Sequence, residues 1–263
     1  MQEKELSFEI DCELVCQKIE QSIQDYINNS KTNGVVIGLS GGIDSSVVAA
    51  IATRALGKER VLGLILPNAN LHQSFEDDAR KLAKQLGIKV KKIALTDLVN
   101  VLKANLEEEM VKNNLVVGNA MARFRMVLLY AYANYLNYLV IGTSNLTEIM
   151  VGYVTKYGDG GVDFEPCGAL YKTHIRILAK YLNIPEEIIT KPPTAGLWDG
   201  QTDEGELGIT YELLDKILLA IAKNFSREEI ISTLKIDESI VIKVEKMVAK
   251  SEHKRKMPPI FEI

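Results

Sequence analysis

Apolar residues along this chain change period several times, and each change marks an expected element boundary. Leu14, Ile19, Ile23 and Ile27 recur at helical spacing, which predicts a helix ahead of the first strand. Three continuous apolar runs, at 35–39, 61–66 and 139–142, and the more mixed stretch at 90–95 predict strands. The intervening patterns predict helices beginning near Ser45 and spanning 75–86, 98–110 and 120–136. Strand and helix alternate, which is the signature of an α/β fold with a doubly wound parallel sheet and flanking helices. Ligands of such sheets gather at the carboxyl ends of the strands, so the loops after the first, second and fourth strands are expected to face one cleft. From Gly152 onward the strand signal fades. Helices are expected at 174–182, 207–222, 227–233 and 238–250, packed on the sheet rather than tethered to it.

Composition narrows the reading. With 263 residues, 47% of them hydrophobic, the chain suits one domain over 1–263, with a helical part from about residue 170. Its 31 basic and 35 acidic residues are mixed, giving a net charge of −4 and no basic stripe to recommend nucleic acid. Acidic groups among the first fifteen residues read against a secretory signal, so a cytoplasmic location is expected. The most apolar stretch, 127–142, is interrupted by Asn134, Asn137 and four tyrosines and is not a membrane span. Three cysteines make no disulfide framework. Cys12 and Cys16 lie four apart, as two metal ligands would, but no third ligand is near, and half-buried thiols are expected.

The stretch GVVIGLSGGIDSSVVAAI, residues 34–51, runs from strand through a glycine turn into an apolar helix. Many α/β proteins have such a junction merely as a turn. The turn nevertheless leaves the first N–H groups of the helix unpaired, where the helix dipole favours an anion such as phosphate. No Gly-Lys-Ser/Thr follows, and no Gly-x-Gly-x-x-Gly is present, so neither common nucleotide loop fits. Ser40, Gly41, Gly42, Asp44 and Ser45 spell Ser-Gly-Gly-x-Asp-Ser. That motif resembles the pyrophosphate loop of the ATP pyrophosphatase superfamily, whose fold is adenine nucleotide alpha hydrolase-like and whose members cleave ATP between its α and β phosphates. The chemistry is coherent: glycines admit the pyrophosphate, serine hydroxyls donate to it, and Asp44 can hold Mg²⁺.

Further motifs follow in order: ARFRM at 122–126, IGTSNLTE at 141–148, GYVTKYGDGGVDFEP at 152–166, LYKT at 170–173, KPPTAGLWDGQTDEGELG at 191–208 and EHKRKMPP at 252–259. Taken alone, IGTSNLTE is a strand–loop–helix junction in which Thr and Asn cap a helix. The charged glycine loop after it carries more charge than turning requires. Together the series resembles the ammonia-dependent NAD synthetase family across nearly the whole chain. The resemblance implies ATP- and Mg²⁺-dependent amidation of nicotinic acid adenine dinucleotide (deamido-NAD) by ammonia, through an acyl-adenylate, giving NAD, AMP and pyrophosphate.

By that resemblance Gly38, Leu39, Ser40, Gly41, Gly42, Ile43, Asp44 and Ser45, with Thr143, Lys172 and Thr194, bind ATP, and Asp44 and Glu148 bind Mg²⁺. Arg123, Lys156, Asp163, His253 and Lys254 match positions that bind deamido-NAD. From the residues themselves, Arg123 is equally a solvated helix edge, and the His253–Lys254–Arg255 run a basic tail. Asp159 is a candidate to take the proton from ammonium, a loop-shaping role being the alternative. His174 reads as structural, and His72 receives no catalytic role. The resemblance also implies a homodimer with the dinucleotide site at the subunit interface, for which the helix around 126–136 offers interface-type residues. Residues 191–208, with two prolines and four glycines, are expected to form a long lid-like loop around Trp198. A guanosine monophosphate synthetase-like enzyme shares the pyrophosphate loop but should lack the rest of the series. A tRNA-thiolating enzyme usually needs cleft cysteines and a basic surface that are not visible here. Intact Asp44, Glu148 and Lys172 read against a nucleotide-binding regulatory subunit that has lost catalysis.

Overall fold

Val35, Val36 and Ile37 of strand β1 (Val35–Gly38) are all fully buried, yet they serve two different cores. Val35 and Ile37 join Ile65 of β2 (Val61–Ile65) and Ile141 of β4 (Leu139–Ile141) on one face of the sheet. Val36, Leu62, Leu64 and Val140 point to the other. Alternation with both faces covered explains why these strands read as unbroken apolar runs. Helices α1 (Cys12–Asn29), α2 (Ile43–Leu56) and α8 (Lys172–Tyr181) supply the first face, and α6 (Asn114–Leu136) covers the second.

The computed structural model describes residues 6–68, 73–198 and 200–261, so His72 lies outside the described residues. With β3 (Lys89–Lys92) the sheet is four-stranded and parallel, in the order β3-β2-β1-β4. The chain winds from β1 out to β3 and then returns to pair β4 on the other side of β1. The crevice between the carboxyl ends of β1 and β4 is therefore the switch point where a ligand is expected.

The outer edge of β4 is sealed by the charged glycine loop. Three alternate N–H groups point outward and each finds a partner there. Val140 donates to Asp163 Oδ2 at 2.7 Å, Gly142 to the Phe164 carbonyl at 2.8 Å, and Ser144 to Glu165 Oε2 at 3.0 Å. An open edge is thus closed without a fifth strand.

Beyond the sheet, α11 (Tyr211–Ala222) packs on α8 and on the short α7 (Leu146–Val151), while α12 (Arg227–Leu234) and α13 (Glu238–Lys250) complete a second core with it. The remaining helices are α3 (Gln73–Leu86), α4 (Thr96–Ala104), α5 (Glu108–Lys112), α9 (Glu186–Ile189) and α10 (Asp203–Leu207).

Several boundaries differ from expectation. The helix expected at 98–110 is two, because the Asn105 side chain bonds the Val101 carbonyl at 2.8 Å and Glu107 turns extended (ψ 147°). α6 begins at Asn114, ahead of the expected 120, since Asn113 caps it by accepting from the N–H groups of Leu115 and Val116. The helix expected at 207–222 is broken: α10 ends on Gly208 (φ 61°), and α11 restarts behind its own cap, Thr210. Cys16 is fully buried in the first core, and Cys12 is half-buried beside it.

Candidate active site

Tight turning of the β1–α2 loop begins with Gly41, whose φ of 78° suits glycine and whose absent Cβ would sit 2.1 Å from the Phe75 carbonyl oxygen. Close approach to α3 is what this glycine permits, and it stands behind the cleft wall rather than on it. Gly42 is the N-cap of α2 and supplies no side-chain cap, which leaves the first-turn N–H groups available. Ser40 Oγ accepts the Gly42 N–H at 3.1 Å and lies 3.0 Å from Ser45 Oγ. Gly38, Leu39, Ser40, Gly42, Ile43, Asp44 and Ser45 line a cleft of about 460 Å³, together with Thr143, Glu148, Asp159, Lys172, Thr194 and Lys254.

The β4–α7 junction carries the helix cap read from the sequence. Asn145 accepts the Glu148 N–H at 3.0 Å and Glu148 Oε2 reaches back to the Asn145 N–H, a capping box. The same asparagine donates through Nδ2 to Asp44 Oδ1 at 2.9 Å, so one side chain ties the two loops together.

Lys172 joins them electrostatically. Its side chain is 2% exposed, and Nζ donates to Asp44 Oδ2 at 2.5 Å and to Glu148 Oε1 at 3.2 Å, above the Tyr211 ring. Burial alone would lower the lysine's pKa, but the two carboxylates outweigh it and hold the ammonium charged. For Glu148 burial wins: despite Lys172, it and the neighbouring Asp44 and Asp203 push the carboxyl up to about 7.

A second, deeper set of bonds fixes this group. Fully buried Asp215 accepts the Thr173 N–H at 2.7 Å and the hydroxyls of Thr147 (2.5 Å) and Thr173 (2.6 Å). Thr147 Oγ1 in turn accepts the Lys172 N–H at 3.0 Å. Asp215 thereby locks the residues adjoining Glu148 and Lys172. Tyr211 OH donates to Asp203 Oδ2 at 3.0 Å and lies 3.4 Å from Glu148 Oε1.

The residues assigned to deamido-NAD are not gathered in this cleft. Arg123 is exposed and donates to the Lys156 carbonyl at 3.3 Å, and Lys156 Nζ donates to the His253 carbonyl at 2.9 Å. Arg125, two residues on, lines the cleft instead and donates through Nε to the Leu66 carbonyl at 3.2 Å. Asp163 already spends Oδ2 on β4 and Oδ1 on Tyr130 OH (3.2 Å). Lys254 reaches the cleft wall, its Nζ bonded to the Gly152 and Val154 carbonyls, both at 2.7 Å. Asp159 lies at the exposed rim of the cleft and accepts the Thr155 N–H at 2.8 Å; desolvation by the surrounding protein raises its pKa, with the Thr155 bond and Arg125 pulling it back. His174 donates nothing to the cleft; its Nδ1 accepts the Tyr171 N–H at 3.3 Å as part of the helix cap, the structural role expected of it.

Residues 191–198 line the cleft with Gln201, Asp203 and Glu206 after them, and the stretch expected as one long loop ends in a helix, α10. Lys191 pairs with Asp78 on α3, the Asn68 side chain donates to the Gly196 carbonyl at 3.0 Å, and half-buried Trp198 packs beside Gly118 of α6.

The sequence profile of the NAD synthase family matches residues 15–258. The chain belongs to the NAD synthase family. An NH(3)-dependent NAD(+) synthetase of Pyrococcus horikoshii is 50% identical over 232 residues, covering 87% of this chain and 89% of the relative. Among solved structures, an NH3-dependent NAD synthetase from Campylobacter jejuni superposes with a TM-score of 0.82 at 35% identity, covering 97% of this chain and 100% of that one. An NMN synthetase from Francisella tularensis gives 0.86 at 34% identity, with the same coverage. The sheet and its flanking helices are thus those of the ATP pyrophosphatase fold. ATP-dependent amidation of deamido-NAD with ammonia, the ligation expected from the motifs, is the activity of this family member.

Sequence reasoning singled out neither Asn145 as a partner of Asp44 nor Asp203, Tyr211, Asp215 and Arg125. Asn145 and Asp203 lie inside quoted motifs, where a signal existed. Tyr211 and Asp215 sit on an ordinary amphipathic helix and gave none.

Proposed function

We propose that the cleft activates the nicotinate carboxylate of deamido-NAD on the α phosphorus of ATP, with the triphosphate against the amino end of α2. The observation that carries this reading is the buried Lys172 ammonium, held between Asp44 and Glu148 beside an uncapped helix N-terminus. Hydroxyls of Ser40 and Ser45 and the first N–H groups of α2 are positioned to donate to phosphate oxygens, and Lys172 offers a point charge. Thr143 and Thr194 stand across the opening as further donors.

Asp44 and Glu148 are proposed to hold Mg²⁺. The donor set fits: carboxylates from two loops, with Asp203 beside them, outnumber the single ammonium, and a divalent cation would balance the excess. When bound, Mg²⁺ neutralises phosphate oxygens and lowers the cost of pyrophosphate departure.

The second step is assigned to Asp159. Ammonium gives a proton to its carboxylate, ammonia attacks the acyl carbon, and AMP leaves with the bonding electron pair of the mixed anhydride, its phosphate taking the surplus proton of the new C–N nitrogen to leave the neutral amide. A carboxyl raised above its ordinary range suits a proton acceptor for ammonium.

We further propose a homodimer of chains that each act as one unit over their whole length. Arg123, Lys156 and His253 lie outside the cleft, and α6 beside them exposes Val127 (56%) and Tyr135 (85%). A partner covering this face would complete the dinucleotide side. Sedimentation analysis tests it, and a monomer at micromolar concentration overturns it. Three free cysteines suit the reducing cytoplasm, and among the described residues no helix is long and apolar enough to cross a membrane.

The deciding assay supplies ATP, Mg²⁺ and ammonium with either deamido-NAD or nicotinic acid mononucleotide, the second because one structural neighbour is an NMN synthetase. AMP and pyrophosphate in equal amounts with NAD are expected. ADP and phosphate would overturn the α-phosphorus mechanism, and preference for the mononucleotide would reassign the dinucleotide contacts.

A further inference from the structure

Two buried aspartates, Asp203 and Asp215, and the half-buried Asp163 invite comparison. Asp163 and Asp215 engage both carboxylate oxygens with donors of the chain, as structural carboxylates do. Asp203 does not. It is 5% exposed and lines the cleft, its Oδ2 accepts from Tyr211 OH, and its buried Oδ1 has no hydrogen-bond partner. The Tyr153 hydroxyl is within hydrogen-bonding reach of Asp203 as well as 2.5 Å from Glu206 Oε2, and with one proton to give it can serve only one of the two carboxylates at a time.

Leaving a buried carboxylate oxygen unpaired beside two further carboxylates costs stability, and such a cost persists where a ligand relieves it. A cation is the ligand that suits. Tyr211 OH stands between Asp203 and Glu148, so Asp203 faces the space that Glu148, Asp44 and Lys172 share. Burial raises the Asp203 carboxyl, with Lys172 pulling it down and Asp44 raising it further, which agrees with that placement.

We propose that Asp203 is a third carboxylate of the metal-binding group, facing a divalent cation at Asp44 and Glu148 through a cation-bound water. The proposal rests on the reading of Asp44 and Glu148 given above. Among the described residues no three acidic side chains converge closely enough to ligate one ion together, so direct coordination by Asp203 is not what the geometry supports. Mg²⁺ retains several of its waters, and a carboxylate that receives one of their protons tightens the site. Asp203 begins α10, within the segment that lines the cleft, and its N–H donates to the Pro193 carbonyl at 3.1 Å. Cation affinity and the seating of this segment are thereby coupled through one side chain.

The test uses the full chain, with Mn²⁺ as the probe and an ATP analogue that cannot be cleaved between its α and β phosphates. Free Mn²⁺ is read from its solution electron paramagnetic resonance signal. Asp44→Asn should abolish site-specific binding, and Asp203→Asn should weaken it about tenfold. Asp203→Glu, which keeps the charge, should recover part of that loss. Without metal or nucleotide, Asp203→Asn should melt higher than the unsubstituted protein, because an unpaired buried charge is gone. Binding by Asp203→Asn equal to that of the unsubstituted protein, with Asp44→Asn deficient, overturns the role of Asp203 alone. Unaltered binding by Asp44→Asn overturns the parent reading with it. A lower melting temperature for Asp203→Asn with unaltered Mn²⁺ affinity would make Asp203 a structural aspartate like Asp163.

Discussion

Lys172 and Lys156 are both assigned to ligand binding by the family resemblance, and the chain treats them in opposite ways. Lys172 is buried between Asp44 and Glu148, whose loops are themselves joined by Asn145 and braced from behind by Asp215. Lys156 lies near the surface and donates only to a backbone carbonyl, that of His253. Charges arranged in advance around Lys172 keep their geometry without substrate, which is what electrostatic stabilisation of a transferring phosphoryl group needs. Around Lys156 and Arg123 the chain supplies carbonyl partners, and among the described residues no carboxylate pairs with either cation. The phosphate side is held together within this chain; the dinucleotide side, on the proposal above, would be completed by a second copy.

The sharpest way to break this contrast is to remove each lysine in turn. Lys172→Met leaves two partly buried carboxylates facing each other, so it should cost about 3–5 kcal/mol of stability and reduce adenylation by at least about 10²-fold. Lys156→Met should change stability by less than about 0.5 kcal/mol. Denaturant unfolding compared with pyrophosphate release measures both, and equal stability losses would erase the distinction. The Lys172→Met deficit should also shrink as pH falls. Burial pushes Glu148 up to about 7 even with Lys172 pulling it down, so without the lysine it rises further; the folded variant therefore takes up a proton as pH falls toward 7, and the unpaired negative charge disappears.

On the dinucleotide side, Arg123→Ala and Lys156→Ala should each raise KM for deamido-NAD about tenfold, with KM for ATP and the melting temperature nearly unchanged. Loss of ATP affinity in either variant would place them in the phosphate site after all.

The phosphate side was legible in the sequence because its chemistry is local. Ser40 to Ser45 must follow a strand and open a helix, and Asn145 to Glu148 spell a helix cap, so short spacing carries the geometry. The other side depends on helix phase and on distant contacts. Arg123 and Arg125 are indistinguishable in ARFRM, and only the seating of α6 against the sheet sends Arg125 inward and Arg123 outward. Asp163 and Glu165 looked like ligand-facing charge in a glycine loop, whereas both serve the edge of β4. No local pattern announces which strand edge will be left open.

Glu165 offers a subtler comparison with Glu148. Burial raises its carboxyl to about 8, with the Ser144 N–H pulling it back and no ammonium beside it. Because the folded value exceeds the unfolded one, stability is fully present below about 4.5 and is lost as pH rises toward 8. Glu165→Gln keeps an acceptor for Ser144 but cannot ionise. Its melting temperature should therefore gain on that of the unsubstituted protein between pH 5 and 8, and parallel curves would mean that Glu165 is not held protonated.

The smallest expected effect lies at Gly118, where the two sides of the cleft meet. In sequence this glycine hid the first turn of α6. In the fold it is the place where Leu197 and Trp198 settle, and a Cβ there would lie 3.1 Å from Leu197 Cδ1 and 3.3 Å from Trp198 Cζ3. Gly118→Ala should gain up to about 1 kcal/mol of helix propensity. Against that, Leu197 and Trp198 must each retreat by a few tenths of an ångström, and they belong to a segment fastened at few points. The gain acts on the whole fold and the strain acts on the lid alone, so global stability should hold or rise while the lid seats less firmly. Trp198 is the chain's only tryptophan, and its emission reports that seating directly. Because the indole is already half-buried, ligands should shift its emission only slightly in the unsubstituted protein. In Gly118→Ala the ligand-free emission should lie at longer wavelength, and ATP, Mg²⁺ and deamido-NAD should move it back, with KM for ATP raised several-fold. Identical emission maxima in the two ligand-free proteins would show that the lid does not depend on this contact.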